Sequence, residues 1–286
     1  MKILTKGRHM KNKLTLYVLN SLLVFGLSTS NTYAQSAFAG FYGQVSTGYE
    51  KNQLGNPTGS TTEVPNNSGD DVLSYGTTQN FGGAPLVFGL GYYWQIHSSW
   101  LLGVGADYSA LSQTTSPMSY NITNAPGNYS LPNGTSATAS GQTVKLSNRF
   151  NLFISPAYVI DKEKLVYLKA GYSQVNVNRN DFTTFTASAN GSSLTTPVSG
   201  GPNHSSNQGG YLIGLGYKQI IASGLYGFVE GNYMGYSSPS YSWTRMQQNR
   251  IEHLANGRIT GIDITNKINY SSLNTYQFLI GVGYAF

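Results

Sequence analysis

Hydrophobic and polar residues alternate with a period of two in eight windows of the chain after residue 34, and no window keeps a period of 3.6. This pattern predicts strands with two different faces and no helix. The windows are residues 39–50, 84–96, 99–111, 143–159, 164–177, 209–221, 224–235 and 276–286. In the seventh window two registers compete, and only Glu230 favours the one in which Val229 and Tyr233 point outward.

The connections between these windows alternate strictly between long and short. The long ones are residues 51–83, 112–142, 178–208 and 237–271. The tight ones are residues 97–98, 160–163 and 222–223. An up-and-down barrel needs this alternation when both chain ends lie on one side of a membrane. The long connections are rich in Asn, Ser, Thr, Gly and Pro, which predicts protruding loops without regular structure.

The two faces of each window differ in a way that favours a membrane. One face is apolar, and the other carries repeated Gly with a few isolated charges, whereas a soluble β-sandwich or lipocalin-like barrel would carry many charges on its solvated face. Charged residues make up 10% of the chain, against about 25% in ordinary soluble domains. Because a bilayer offers no partners to backbone groups, a spanning sheet must close on itself. The sequence predicts an all-β, eight-stranded antiparallel transmembrane barrel with long extracellular loops and short periplasmic turns.

Aromatic residues gather where the two membrane interfaces should lie. Near the tight turns are Trp94, Trp100, Tyr158, Tyr167, Tyr217 and Tyr226. Near the long loops are Tyr49, Tyr108, Tyr211 and Tyr233. Amphipathic rings prefer the headgroup level, so we interpret both sets as the aromatic girdles of a barrel.

The first residues have the layout of a secretory signal peptide. Several cations precede an apolar run from Leu14 to Leu27, and small or polar residues end at Ala34, where cleavage is expected. The run of 14 residues is shorter than the roughly 20 that a spanning helix needs, which argues against a retained anchor. Translation from Met10 would also give a complete signal. We therefore expect residues 1–34 to be the signal and residues 35–286 to be the barrel domain.

Charge and cysteine content exclude several classes of function. Removing residues 1–34 takes away five of the 17 basic residues and none of the 11 acidic ones, so the net charge falls from +6 to +1. The high isoelectric point therefore gives no reason to expect a nucleic-acid partner. The chain has no Cys, which excludes disulfides and thiolate metal sites, and no cluster of ligating residues predicts a metal or another cofactor.

The predicted inward face carries seven charged residues in a Gly-rich wall. They are Glu50, Asp107, Lys145, Arg149, Lys169, Lys218 and Glu230. An eight-stranded barrel is only wide enough for side chains to fill it, and buried charges must be paired. We therefore expect an ion-pair network that fills the lumen, with a narrow gated ion path as the alternative. The inward Gly residues should make room for large side chains from neighbouring strands.

The end of the chain resembles the last strand of bacterial outer-membrane barrels, which ends in Phe after alternating apolar residues. The matching positions are Phe278, Ile280, Val282, Tyr284 and Phe286. This resemblance implies recognition of the strand by the barrel assembly machinery. Across nearly all of residues 35–286 the chain resembles the eight-stranded OmpA, OmpX and Opa-like group of porin-family proteins. That resemblance implies a monomer in the outer membrane, in contact with its lipid and lipopolysaccharide.

One short motif is similar to that of a barrel enzyme. His204-Ser205-Ser206-Asn207 resembles the His-x-Ser-Asn element of outer-membrane lipid A deacylases, in which His and Ser act with a downstream Glu. Lys218 and its neighbours occupy the region of that Glu here, and Glu230 lies further along. The other histidines of the mature chain are His97 in a tight turn and His253 in the fourth loop. The fourth loop also carries four cations, Arg245, Arg250, Arg258 and Lys267, against the two acids Glu252 and Asp263. We expect these cations either to contact lipopolysaccharide phosphates or to be solvated.

These observations favour a structural or surface-interaction protein that acts through its external loops and is not an enzyme. Function that resides in loops on a rigid scaffold is the usual arrangement. A narrow pore for ions or small solutes is the first alternative, and a lipid A hydrolase is the second. The sequence identifies no surface ligand.

Overall fold

The computed structural model describes residues 36–64, 70–124, 135–189, 192–197, 203–247 and 262–286. The expected signal peptide lies outside these residues, and Ser36–Phe286 form one compact unit. All regular elements of the described residues are β-strands. They are β1 (Gly40–Leu54), β2 (Pro57–Val64), β3 (Asp70–Tyr75), β4 (Gln79–Gly83), β5 (Leu86–His97), β6 (Trp100–Ser109), β7 (Gln113–Thr114), β8 (Met118–Asn124), β9 (Thr135–Asp161), β10 (Lys164–Asn180), β11 (Thr184–Ala189), β12 (Ser192–Pro197), β13 (His204–Ala222), β14 (Leu225–Tyr236), β15 (Ser240–Gln247), β16 (Ile262–Tyr270) and β17 (Leu273–Ala285).

Eight of these strands close into an antiparallel ring. The order is β1, β5, β6, β9, β10, β13, β14, β17 and back to β1. The ring closes in a continuous ladder that runs from Tyr42 opposite Ala285 to Leu54 opposite Leu273. Because each strand is paired on both sides, the ring has no free edge and its backbone groups bond within the wall. The predicted eight-stranded antiparallel barrel is confirmed.

Tight turns join the strands at one end of the barrel. They comprise residues 98–99, 162–163 and 223–224, within one or two positions of the predicted turns. The Asp161 carboxylate stabilises the second turn by accepting a hydrogen bond from the Glu163 backbone N–H at 2.9 Å, as in an Asx turn. Gly224 adopts a φ of 72° in the third turn, a conformation that favours glycine.

We predicted long connections without regular structure, but their described residues include the strands of a second antiparallel sheet. Its order is β15, β16, β2, β3, β8, β9, β11, β12. We call this sheet the extension. Its Ser and Thr residues belong to paired strands, and the hydroxyls of Thr186 and Thr195 lie 2.9 Å apart across one pair. Threonine is β-branched and fits a pleated surface, so a composition typical of loops here forms strands.

Strand β9 connects the extension to the barrel. It has 27 residues; its first part pairs with β8 and β11 in the extension, and its later part pairs with β6 and β10 in the wall. Gly141 has a φ of 91°, and a Cβ at this position would collide with Thr183. Only glycine fits this bend easily.

Side chains alternate between the outside and the interior along the wall strands, except at one bulge in β9. In β14, Val229 points outward and Glu230 inward, which is the register that the charge of Glu230 favoured. The outward side chains are large and apolar at most positions. They include Phe41, Phe88, Leu90, Val104, Leu152, Ile154, Leu168, Ile213, Leu215, Phe278, Ile280 and Val282. Since Phe278 is 62% and Ile280 57% exposed, the barrel presents an apolar surface rather than an apolar core.

One predicted lumen residue, Lys145, lies on the outer face. The register of β9 against β10 shifts between Gln174 and Asn176, and Asn148 adopts a φ of 50°. The resulting β-bulge adds one residue to β9 and reverses the alternation beyond it. Arg149 therefore points inward and Lys145 outward. The prediction for Lys145 is wrong because it assumed unbroken alternation.

Candidate functional site

The barrel interior is filled in layers, beginning with an aromatic layer near the tight turns. Its buried members are Phe38, Tyr42, Tyr93, Leu101, Ala157, Leu165, Tyr167, Tyr226, Phe228 and Ala285. Inward glycines make space for these rings. A Cβ on Gly216 would collide with the Tyr167 ring, and one on Gly283 with the Tyr226 ring. The glycine repeats of the wall strands therefore accommodate tyrosines, as the sequence suggested.

Lys218 is buried in this aromatic layer without an ion pair among the described residues. Its Nζ lies 4.0 Å from the ring centroid of Tyr42 and 4.7 Å from that of Tyr226. The rings of Tyr93 and Tyr167 follow at 5.2 Å each. Four tyrosines thus surround the ammonium group, and their ring faces attract a cation.

Above this layer, Lys169 binds two carboxylates at once. Its Nζ lies 2.5 Å from Asp107 Oδ2 and 2.9 Å from Glu230 Oε1. Glu230 also accepts hydrogen bonds from the Tyr167 hydroxyl at 2.7 Å and the Asn232 amide at 2.7 Å. All three charged side chains are at most 3% exposed. Burial of these charges requires such pairing, because an isolated ion would be strongly destabilising there.

A second ion pair lies closer to the extension. Arg149 Nη1 is 2.5 Å from Glu50 Oε2, and the Arg149 Nε–H donates to the Tyr236 hydroxyl at 3.0 Å. Three amide and hydroxyl side chains complete the shell: Asn52, Thr275 and Gln277. Of the seven predicted lumen charges, Glu50 thus pairs with Arg149, and Lys169 pairs with both Asp107 and Glu230. Lys218 lies apart from them among the four tyrosine rings.

A second apolar layer covers these pairs toward the extension. Its buried members include Leu54, Met118, Val144, Leu146, Val175, Val177, Leu212, Met234, Tyr241, Ile268 and Leu273. Several come from the extension and not from the wall, so the two sheets share a core. The interior is therefore occupied at successive levels by aromatic, ionic and apolar side chains.

Sequence analysis missed a fully buried arginine at the extracellular mouth of the barrel. Arg179 is 0% exposed, and its Nη2 donates to Asp181 Oδ1 at 2.9 Å. With its carboxamide oxygen toward the guanidinium, Gln142 accepts from Arg179 and donates to the hydroxyls of Tyr120 and Tyr270. Continuing the alternation of β10 beyond residue 177 would have placed Arg179 on the same face as Lys169.

The outer face carries the aromatic girdles, with two corrections. Tyr167 and Tyr226, which we assigned to the girdle near the tight turns, are buried in the interior. Each lies an even number of residues from an inward charge on its own strand: Tyr167 from Lys169 and Tyr226 from Glu230. The alternation of the strand therefore decides which face they occupy, and their position near a turn does not. The others of the predicted set lie on the outer face, as do the positions of the C-terminal motif: Phe278, Ile280, Val282, Tyr284 and Phe286.

The deacylase-like motif is not arranged as a hydrolytic pair. The Ser206 hydroxyl donates to the Tyr241 hydroxyl at 3.3 Å and accepts from the Gln208 amide at 2.9 Å. The His204 ring packs against Tyr241 and Trp243. No hydrogen bond joins His204 to Ser206 among the described contacts. A general base must reach the hydroxyl that it activates, so the motif gives the hydrolase hypothesis no geometric support.

The remaining sequence candidates add little to the site. His97 is exposed at the end of β5, beside a tight turn, and its Nδ1 is 3.1 Å from the Ser98 hydroxyl. Lys267 is exposed on β16. His253, Arg250, Glu252 and Arg258 lie outside the described residues, and the side chains of Arg245 and Asp263 are not described. The described residues contain no group of three or more acidic, His or Cys side chains placed to hold a metal ion.

Comparison with known proteins yields structural likeness only. No family model matches the chain. No curated protein matches it in sequence either. The outer membrane protein OprG of Pseudomonas aeruginosa is similar at 10% identity, over 88% of this chain and 98% of OprG, with a TM-score of 0.47. The outer membrane protease OmpT of Escherichia coli is similar at 10% identity over 91% and 100%, with a TM-score of 0.38. Ail, the attachment invasion locus protein of Yersinia pestis, is similar at 12% identity over 84% and 99%, with a TM-score of 0.29.

The membrane assignment follows from the barrel itself. Exposed apolar side chains cover the outside of the wall, aromatic rings lie at both of its ends, and the buried charges lie within, in ion pairs or, for Lys218, among tyrosine rings. This is the inverse of a soluble barrel and the arrangement that a bilayer requires. The chain is an integral β-barrel of the outer membrane. Among the described residues, no helix has the length and apolarity needed to cross a bilayer.

Proposed function

We propose that this protein is a closed outer-membrane barrel that acts at the cell surface through its extension, as a structural or surface-interaction protein without catalysis. The observation that carries the proposal is the contrast between its two halves. Buried side chains fill the barrel at every level, whereas the extension is a large ordered sheet on the side opposite the tight turns. An ordered surface on a rigid scaffold suits binding.

A barrel-only variant tests this proposal. Each hairpin can be shortened at a register pair near the rim of the barrel: Leu54 with Gln79, Thr114 with Lys145, Arg179 with His204, and Tyr236 with Leu273. An Asn-Gly turn between the members of each pair continues the antiparallel register. We expect the variant to lose surface activity, measured as adhesion of intact cells to surfaces and as serum resistance.

Two controls make the outcome interpretable. Heat-modifiable migration in gel electrophoresis must show that the variant assembles as a barrel, and single-hairpin variants must show which part of the extension acts. Unchanged adhesion, unchanged serum resistance and an intact envelope in cells that carry the assembled barrel-only variant would refute the proposal.

A narrow pore is the second candidate. The observation that favours it is the succession of charged groups through the interior, from Lys218 through Lys169 to Arg149. A conducting path would have to pass between ion pairs whose side chains are at most 4% exposed. The apolar layers at both ends add to that barrier, because an ion pays a large desolvation cost there.

A further inference from the structure

Three nitrogen atoms without hydrogen-bond partners belong to neighbouring side chains at the extracellular mouth of the barrel. They are Arg179 Nη1, His204 Nε2 and Trp243 Nε1, and all three are buried. More than nine in ten buried polar groups have a partner in folded proteins. Three unsatisfied atoms on neighbouring side chains therefore point to a group that the chain does not itself supply.

The three side chains are mutual neighbours on adjacent strands. Arg179 of β10 and His204 of β13 are directly opposed in the ladder, which brings their Cβ atoms to within about 5.5 Å. The Trp243 ring lies 4.4 Å from the Arg179 guanidinium carbon and 4.9 Å from the His204 ring, centroid to centroid. The indole thus contacts both of the other groups.

The chemistry of these atoms selects an acceptor with negative charge. Arginine and the indole N–H donate only, and a neutral imidazole can donate through Nε2. Among the described residues near these atoms, the carboxylate of Asp181 binds Arg179 through Nη2. Arg179 Nη1 is left without a partner. A group with several acceptor oxygens can bind all three donors at once, as carboxylates and phosphates do at arginine sites.

The pKa of His204 depends on the charges at this mouth. Burial, and then the charge of Arg179, lowers the pKa of His204 below its usual value. The other groups that face the imidazole are Asp181 and the hydroxyl of Tyr241, whose own pKa is raised by burial. A bound anion would favour the imidazolium and raise the pKa of His204.

We propose that Arg179, His204 and Trp243 form a binding site for one anionic oxygen group, a carboxylate, sulfate or phosphate, borne by a ligand outside the cell. This site deepens the proposed surface function and depends on it for its biological meaning. Anion binding by the purified protein is nevertheless measurable without any surface assay, so the two proposals can fail separately.

The test is a histidine-detected NMR titration, in neutral detergent micelles, of refolded protein that comprises residues 35–286. Sodium chloride is replaced by sodium acetate, sulfate or phosphate at constant ionic strength, which separates the three classes of anion. We expect one of them to shift the His204 signals saturably and to raise the pKa of His204. His97, exposed beside a tight turn, should show neither effect. Absence of a saturable shift with all three anions would overturn the proposal.

Variants locate the site. Trp243→Phe keeps an aromatic ring but removes one donor, so affinity should fall about tenfold, as expected for a hydrogen bond to a charged group. Arg179→Met should abolish binding. Lys267→Met removes one charge from an exposed position of the extension and should leave affinity unchanged. If Arg179→Met does not fold, Trp243→Phe decides, and wild-type affinity in that variant would place the anion elsewhere and overturn the proposal.

Discussion

At the scale of single residues, the interior lysines differ in what surrounds them. Lys169 contacts two carboxylates, whereas Lys218 contacts tyrosine rings. We predict that Lys169→Met lowers the free energy of unfolding by about 3–5 kcal/mol, because it leaves Asp107 and Glu230 buried without their cation. Lys218→Met should cost at least about 2 kcal/mol less, because no directly bound carboxylate loses its partner.

Reversible urea unfolding in lipid vesicles, followed by tryptophan fluorescence, measures both lysine variants. Lys162→Met, in an exposed turn, controls for the loss of a charge and should be near neutral. Equal destabilisation by the two interior variants would contradict the assignment of Lys169 as the cation that pairs the carboxylates.

The pair Glu50 and Arg149 is suited to a double-mutant cycle. We predict that Arg149→Met alone costs about 3–5 kcal/mol because Glu50 keeps its charge in a buried site. Glu50→Gln with Arg149→Met should recover more than half of that loss, since no charge is then left unpaired. Additive costs in the same unfolding assay would show that the two side chains do not depend on each other.

The alternation of the sequence predicts which face of a strand a residue occupies, wherever no bulge interrupts the strand. Glu50, Asp107, Lys169 and Glu230 share the parity of small or polar neighbours, and all are inward. Tyr167 and Tyr226 have the same parity as these charges, but their nearness to turns led us to place them outside. Arg179 was missed because the Asn, Thr and Ser residues around and after it indicated a loop and not a continued strand.

At the scale of elements, the bulge in β9 reverses which residues face the interior. We predict that a cysteine at Lys145 reacts with a membrane-impermeant maleimide in intact cells, because this side chain is exposed on the outer face near the extension. A cysteine at Leu146, which is 2% exposed, should not react. The chain has no native Cys, so mass spectrometry or gel shift measures each site alone.

The converse labelling pattern would contradict the bulge. A reactive cysteine at position 146 beside a protected one at position 145 would mean that the alternation of β9 continues without interruption. No sequence signal marks Asn148 as a bulge residue beyond the tolerance of asparagine for positive φ, which explains why the pattern alone could not locate it.

Much of the extension was missed because polar residues dominate its strands, although β8, β15 and β16 place Met118, Tyr241 and Ile268 in the shared core. Sequence analysis detects strands by alternation, and the hairpin of β11 and β12 shows little of it, with Ser188 opposite Ser193. The strands of the extension form because neighbouring hairpins pair edge to edge. This pairing is a tertiary effect that a single window of the sequence cannot show. Each wall strand has one face toward lipid and one toward a packed interior, so its apolar and polar residues alternate clearly in the sequence.

At the scale of the whole molecule, the alternation of long and short connections fixed the topology, since it leaves only an up-and-down ring for eight strands. What the sequence left open was the state of the interior, either a filled core or a narrow path. The structure stacks an aromatic layer, two ionic levels and an apolar layer along the axis. A filled interior makes the barrel a rigid support for the extension.

Planar-bilayer recording of refolded protein that comprises residues 35–286 tests this account most directly. With the buried pairs intact, we predict no stepwise current under potentials that a stable barrel withstands, because the ions would have to cross layers of closely packed side chains. Heat-modifiable migration of the protein in the vesicles that are fused with the bilayer shows that it has inserted as a folded barrel. Reproducible unitary conductance from the wild-type protein, altered by Arg149→Ala, would contradict a filled interior.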